Sequence, residues 1–75
     1  MADMTLDTKG LNCPLPILKA KKAMKDVPQN GTLEVLTTDP GAVDDFAAFC
    51  KATGYKLMSQ SEADGVYTFV IKNTA

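Results

Sequence analysis

The sequence predicts an α/β (α+β) two-layer sandwich: a four-stranded mixed sheet with two helices on one face, in the order β-α-β-α-β-β. Three observations carry this. Short runs rich in apolar and β-branched residues alternate with two stretches whose apolar residues recur at three- and four-residue spacing. The last two runs are joined through Ala63-Asp64-Gly65, a hairpin turn signal. Each helical stretch has one apolar face, and two such helices bury those faces most economically on the same side of the sheet. A chain of 75 residues is too short for a second core, so residues 1–75 are expected to form a single domain with one main site.

Taken in order, Met4 to Asp7 alternates apolar and polar residues and reads as a short strand closed by Gly10. Ile17, Leu18, Ala20, Ala23, Met24 and Val27 mark one apolar helix face, with Lys19, Lys22 and Lys25 placed between them. This helix must stop before Pro28, because a residue preceding proline is pushed out of the α region. Asn30-Gly31 is a turn, and Thr32 to Thr37 carries Leu33, Val35 and Leu36 as a buried strand. Thr38-Asp39-Pro40 reads as a helix start, with Asp39 as N-cap, Pro40 at the first position and Asp44 and Asp45 near the positive end of the dipole. Val43, Phe46, Ala47, Cys50 and Thr53 share a face, and Gly54 ends the helix. Tyr55 to Glu62 and Val66 to Lys72 form the terminal hairpin, which leaves Lys56 and Thr68 on the open face of the sheet.

Composition narrows the chemistry. Net charge is −1, and the eight basic residues are all lysine, so the strongly basic balance of a nucleic-acid binder is missing. No stable nucleic-acid binding is expected. The chain has no histidine, which removes Cys-His and Ser-His nucleophile pairs, imidazole bases and half the ligand set of Cys/His zinc sites. No Gly-rich phosphate loop is present, and no cofactor or metal is expected. No apolar run reaches the roughly 20 residues of a membrane span, and the short polar start lacks the pattern of a signal peptide. A cytoplasmic location follows as the expectation, with thiols kept free by a reducing compartment.

Sulfur is what remains. Cys13 and Cys50 are far apart in sequence and form neither a C-x-x-C pair nor a metal-spaced cluster. Cys50 follows Phe49 on an apolar helix face and reads as a small buried hydrophobe. Cys13 stands before Pro14-Leu15-Pro16, outside the apolar stripe and at an element boundary. Pro14 biases Cys13 towards the extended backbone of an N-cap and itself suits the first helical position. At a helix N-terminus the dipole and free amides lower a thiol pKa, which raises the thiolate fraction that does the chemistry. Neither proline has an N–H group, so Leu15 is expected to hold the one free donor in the first three helical positions. Leu15 also precedes a proline, and a helix beginning at Pro16 is the alternative to one beginning at Pro14. Lys9, Lys19 and Lys22 are either a solvated face or a docking patch for an acidic partner.

Cys13-Pro14-Leu15-Pro16, preceded by Leu6-Asp7 and Gly10-Leu11, resembles the C-P-x-P signature of the TusA/SirA family of small sulfur-carrier proteins. Thr38-Asp39-Pro40, Phe49-Cys50 and Gly54 resemble the family's second-helix pattern, so the likeness spans nearly the whole chain. It implies a two-layer fold similar to the C-terminal domain of a bacterial translation initiation factor. It also implies a sulfur carrier that relays sulfane sulfur as a persulfide on Cys13, in sulfur oxidation or in tRNA 2-thiouridine synthesis. The donor would be a cysteine desulfurase or rhodanese-type enzyme, the acceptor a DsrEFH- or TusBCD-like protein, and the chain a monomeric sulfurtransferase component that depends on its partners for turnover. Gly10, Pro14, Leu15 and Pro16 support the motif. Leu15 and Asn12 stand where carriers feeding tRNA thiolation often have Glu and a basic residue, and Gly54-Tyr55 replaces a frequent Gly-His. Family members from sulfur-oxidising bacteria are closer to the C-P-L-P form. Two other classes stay open at this point: a regulatory or RNA-binding module, suggested by the fold likeness alone, and a thiol redox sensor.

Overall fold

Alternation along Thr32–Thr37 sets the geometry of the sheet. Leu33, Val35 and Thr37 are buried while Thr32, Glu34 and Leu36 are half-buried, as a two-residue period requires. The computed structural model describes residues 3–12 and 15–74, in the order β1 (Met4–Thr8), α1 (Leu15–Met24), β2 (Thr32–Thr37), α2 (Ala42–Thr53), β3 (Lys56–Ala63) and β4 (Val66–Lys72). The sheet order is β1-β2-β4-β3. β1 runs parallel to β2, and β4 runs antiparallel to both β2 and β3, so the sheet is mixed as the sequence predicts.

Both helices face one core, in which Ala20, Met24, Phe46 and Cys50 meet Leu33, Val35, Phe69 and Ile71. Phe46 is fully buried at the centre, stacked on Phe69 of β4 at 4.8 Å and edge-on to Phe49 at 6.2 Å. These rings fasten α2 to the sheet. Lys56 and Thr68 lie on the opposite face, because their neighbours Leu57, Phe69 and Ile71 point inward and side chains alternate. The hairpin between β3 and β4 turns through Asp64 (φ 52°) and Gly65 (φ 82°), the paired left-handed conformation of a type I′ turn. Among the described residues no helix is long and apolar enough to cross a membrane.

Several local expectations are corrected. α1 ends at Met24 because the chain tightens before Pro28: the amides of Lys25, Asp26 and Val27 donate to carbonyls three residues back, at 3.3, 2.9 and 3.2 Å. Leu18 is not in the core but 55% exposed. At 100° per residue it sits about 200° round the helix from both Pro16 and Ala20, which are buried. α2 begins at Ala42 with Gly41 as N-cap, not with Asp39. Asp39 instead closes the preceding turn, its Oδ1 accepting the Gly41 amide and its carbonyl the Ala42 amide, both at 3.0 Å. Ala47 and Thr53 are exposed, because the buried stripe of α2 runs through Ala42, Phe46, Phe49 and Cys50. β3 starts at Lys56, Tyr55 being the connector after Gly54, which closes α2 in the left-handed conformation (φ 85°).

Candidate functional site

Parallel pairing brings the C-terminal ends of β1 and β2 side by side, and both strand-to-helix loops leave from that edge. In open α/β sheets this edge is where sites form. Thr8 and Thr37 end the two strands and are fully buried, yet their hydroxyls are satisfied: Thr8 Oγ1 donates to the Leu36 carbonyl at 2.6 Å, and Thr37 Oγ1 accepts the Asp39 amide at 3.2 Å. The two loops are joined to each other, since the Gly10 amide donates to Thr38 Oγ1 at 2.9 Å. Gly10 itself turns at φ 85°, and the Leu11 amide returns to the Thr8 carbonyl at 3.1 Å. A side chain at Gly10 would meet nothing within 4 Å, so the position favours glycine for its backbone conformation alone.

The predicted nucleophile Cys13 and the following Pro14 lie outside the described residues, and their neighbours on each side are described. The Leu15 amide donates to the Asn12 carbonyl at 2.9 Å. It is therefore not the free donor the sequence suggests, and Asn12, which the sequence marked only as a departure from the family pattern, contributes through its backbone. α1 is described from Leu15, with Pro16 buried at its second position. Leu15 is 45% exposed and Leu18 lies one turn further on, so the first turns of α1 present two large apolar side chains to solvent. The signal for this pair is present in the sequence, because Leu15 and Leu18 share the i, i+3 spacing but fall off the Pro16-Ala20-Met24 line.

The three lysines do not form one cluster. Lys9 pairs with Asp7 at 3.7 Å on the surface. Lys19 and Lys22 lie together instead, lining a groove of about 230 Å³ between α1 and β1 with Met4, Leu6, Ala23 and Asp26. Among the described residues neither is in an ion pair. A smaller hollow beside Val43, Tyr67 and Phe69 holds a single carboxylate, Glu62, whose Oε2 accepts the Gly65 amide at 2.9 Å. The second thiol is packed away: Cys50 is free but only 6% exposed, and burial pushes its pKa above the ordinary thiol value.

Comparison with known proteins agrees with this arrangement over nearly the full length. A Neisseria meningitidis chain named as a candidate sulfur carrier is 53% identical over 73 residues, covering 97% of this chain and 99% of that one. The sulfur carrier protein TusA of Allochromatium vinosum is 50% identical over 72 residues, covering 96% and 95%. Among solved structures, the SirA-like protein of Desulfitobacterium hafniense superposes with a TM-score of 0.83 at 27% identity, over 96% of this chain and 99% of that one. The family described as sulfurtransferase TusA matches residues 4–73, and the chain belongs to that family of sulfur carriers.

Proposed function

We propose that Cys13 is the carrier atom's seat, taking sulfane sulfur from a donor persulfide and giving it to an acceptor thiol. The observation that carries this reading is the state of the other cysteine. Cys50 is buried, and burial raises its pKa, so the thiolate needed for attack is disfavoured there. Cys13 then remains as the chain's other thiol, and it falls in sequence between Asn12 and Leu15, whose backbones are bonded to each other beside the C-terminal edge of the parallel strands.

In the loading step the Cys13 thiolate attacks the terminal sulfur of a donor Cys–S–SH. A new S–S bond forms at Cys13, the donor's S–S bond breaks, and the donor cysteine leaves as thiolate. In the unloading step an acceptor thiolate attacks the terminal sulfur and Cys13 leaves as thiolate. Electrons balance in each exchange, so no external oxidant or reductant takes part. A second thiol within reach would resolve the persulfide into a disulfide and release sulfide. The burial of Cys50 guards against that outcome.

The donor in this reading is a cysteine desulfurase or rhodanese-type enzyme and the acceptor a DsrEFH- or TusBCD-like protein, working in a reducing cytoplasm towards sulfur oxidation or tRNA thiolation. Both partners must visit in turn, which calls for small, transient contacts. Exposed Leu15 and Leu18 beside Lys19 and Lys22 suit that requirement, with an apolar centre and a cationic margin. The test is intact-mass analysis after exposure to polysulfide or to a loaded donor. Wild type and Cys50→Ser should gain one sulfur atom that reductant removes, and Cys13→Ser should gain none. Equal loading of Cys13→Ser would falsify the assignment.

A further inference from the structure

The two edges of the sheet are built differently. β3, at one edge, carries Lys56 and Glu62 and a register shift between Leu57 and Ser59 that turns Met58 outward. Bulges and edge charges of this kind discourage another strand from pairing. β1, at the other edge, is five residues of unbroken strand, Met-Thr-Leu-Asp-Thr, with no proline and no lysine. Its pairing with β2 keeps an even register throughout, Met4 opposite Leu33 to Thr8 opposite Thr37. Its single charge, Asp7, is turned to the open sheet face and tied to Lys9.

Hydrogen-bond direction identifies what that edge offers. The Asn73 amide donates to the Gly31 carbonyl at 2.9 Å and Thr8 Oγ1 to the Leu36 carbonyl at 2.6 Å, so the backbone groups of Leu33, Val35 and Thr37 face β4 while those of Thr32, Glu34 and Leu36 face β1. In the parallel register Met4, Leu6 and Thr8 therefore pair with β2, and the N–H and C=O of Thr5 and Asp7 face outward. The side chains of Met4 and Leu6 are half-buried and floor the groove against α1, where Ala23 continues the apolar surface. Lys19 and Lys22 line the same groove without a counter-ion among the described residues, and Asp26 is its one carboxylate. α1 and the turn after it hold four of the chain's eight lysines, in a protein whose net charge is −1.

We propose that the β1 edge receives an extended, acidic segment of a partner protein, which adds to the sheet as a fifth strand. Its backbone pairs with the outward groups of Thr5 and Asp7, and every second side chain turns to the groove, where an apolar one rests on Met4, Leu6 and Ala23 and carboxylates on either side of it meet Lys19 and Lys22. Main-chain pairing supplies affinity in this mode and the groove supplies specificity. A second copy of the chain is disfavoured as occupant, because pairing two β1 edges would bring both sets of Lys19 and Lys22 to one seam. The proposal rests on the reading of the chain as a relay that docks partners, and it names the form one partner takes.

The test uses the full chain, labelled with ¹⁵N, and a peptide of about six residues in which glutamates flank a valine on one face and threonines occupy the other. At a peptide concentration about ten times Kd, exchange of the outward Thr5 and Asp7 amides should slow about tenfold. Lys19→Glu/Lys22→Glu, both exposed substitutions, should abolish this protection while leaving the urea midpoint unchanged. The same peptide with lysine in place of each glutamate should not protect. Unaltered exchange at Thr5 and Asp7 would overturn the proposal, as would equal protection by the lysine peptide or peptide-free protection that grows with protein concentration. Polysulfide loading of Cys13, which needs no docked protein, is measured on the same samples. Normal loading with no peptide binding sinks the edge proposal alone, whereas absent loading in wild type sinks the carrier reading instead.

Discussion

Replacing Leu18 by glutamine separates a docking role from a packing role. Full burial of a leucine side chain is worth about 1.5–3 kcal/mol, and Leu18 is 55% exposed, so the burial at stake is close to 1 kcal/mol. Glutamine matches leucine in helix propensity and keeps part of the aliphatic contact, so the expected loss is below ~1 kcal/mol. Met24→Gln is the contrasting variant on the same helix. Met24 is 1% exposed, and the change removes roughly 2 kcal/mol of burial and strands an amide at a further cost of about 1–3 kcal/mol. At 0.05–0.15 kcal/mol per residue the whole fold is worth only about 4–11 kcal/mol, so Met24→Gln should be strongly destabilised and Leu18→Gln close to wild type. Urea unfolding followed by far-UV circular dichroism reads both midpoints, with an unchanged m value as the check on two-state behaviour. Sulfur transfer from a loaded donor should show a raised KM in Leu18→Gln with polysulfide loading of Cys13 unaffected. If Leu18→Gln loses as much stability as Met24→Gln, the side chain belongs to the core and the docking argument fails.

Two further outcomes follow from the core. Burial raises the Cys50 pKa in the folded state, so the folded chain holds its proton to higher pH than the unfolded chain does. The corresponding stability is present below the ordinary thiol pKa of roughly 8.5 and falls as pH rises above it. Unfolding midpoints of wild type should therefore decline more steeply with alkaline pH than those of Cys50→Ala, and parallel curves would contradict the assignment. Phe46 and Phe69 stack at 4.8 Å, and a cycle of Phe46→Leu, Phe69→Leu and the double variant should give a coupling of about 0.5–1.5 kcal/mol. Strict additivity in urea melts would show that the rings contribute area but no specific geometry.

The sequence was most legible where one local rule had no competitor. Thr32–Thr37 and Val66–Lys72 are observed at the bounds their patterns predict, because a period of two between turn residues leaves a single way to bury one face. Gly54 and Asp64-Gly65 were equally readable, since their left-handed backbones suit those residues. Legibility failed where two rules compete over the same residues. Leu18 satisfies a helical spacing with some apolar neighbours, but Pro16 and Ala20 settle which face is inward, and they place it outside. Asp39 satisfies the N-cap preference, but its carboxylate closes a turn with Gly41 two residues before the helix. At the motif, the free Leu15 amide was an inference from the N–H groups that the two prolines lack, and the backbone carbonyl of Asn12, which no residue-type rule predicts, takes it.

That last difference bears on how the thiol is tuned. With the Leu15 amide committed to Asn12 and with no N–H on Pro16, the first described turn of α1 offers fewer donors to a thiolate than a typical helix start does. A carrier gains from such sparseness, because a thiolate held too firmly would be a poor nucleophile towards the donor's sulfur. The frame of the site is built from bonds among backbone groups and threonine hydroxyls, Gly10 to Thr38, Thr8 to Leu36 and Asp39 to Thr37, none of which titrates near neutral pH. In the proposed reading recognition falls to a different kind of group, Lys19 and Lys22, which form no ion pair among the described residues, and the exposed leucines of α1. Salt should therefore slow transfer between proteins by screening the lysines while leaving the loading of Cys13 by polysulfide little changed. A single small chain can in this way meet successive partners of different strength without altering the chemistry of its sulfur.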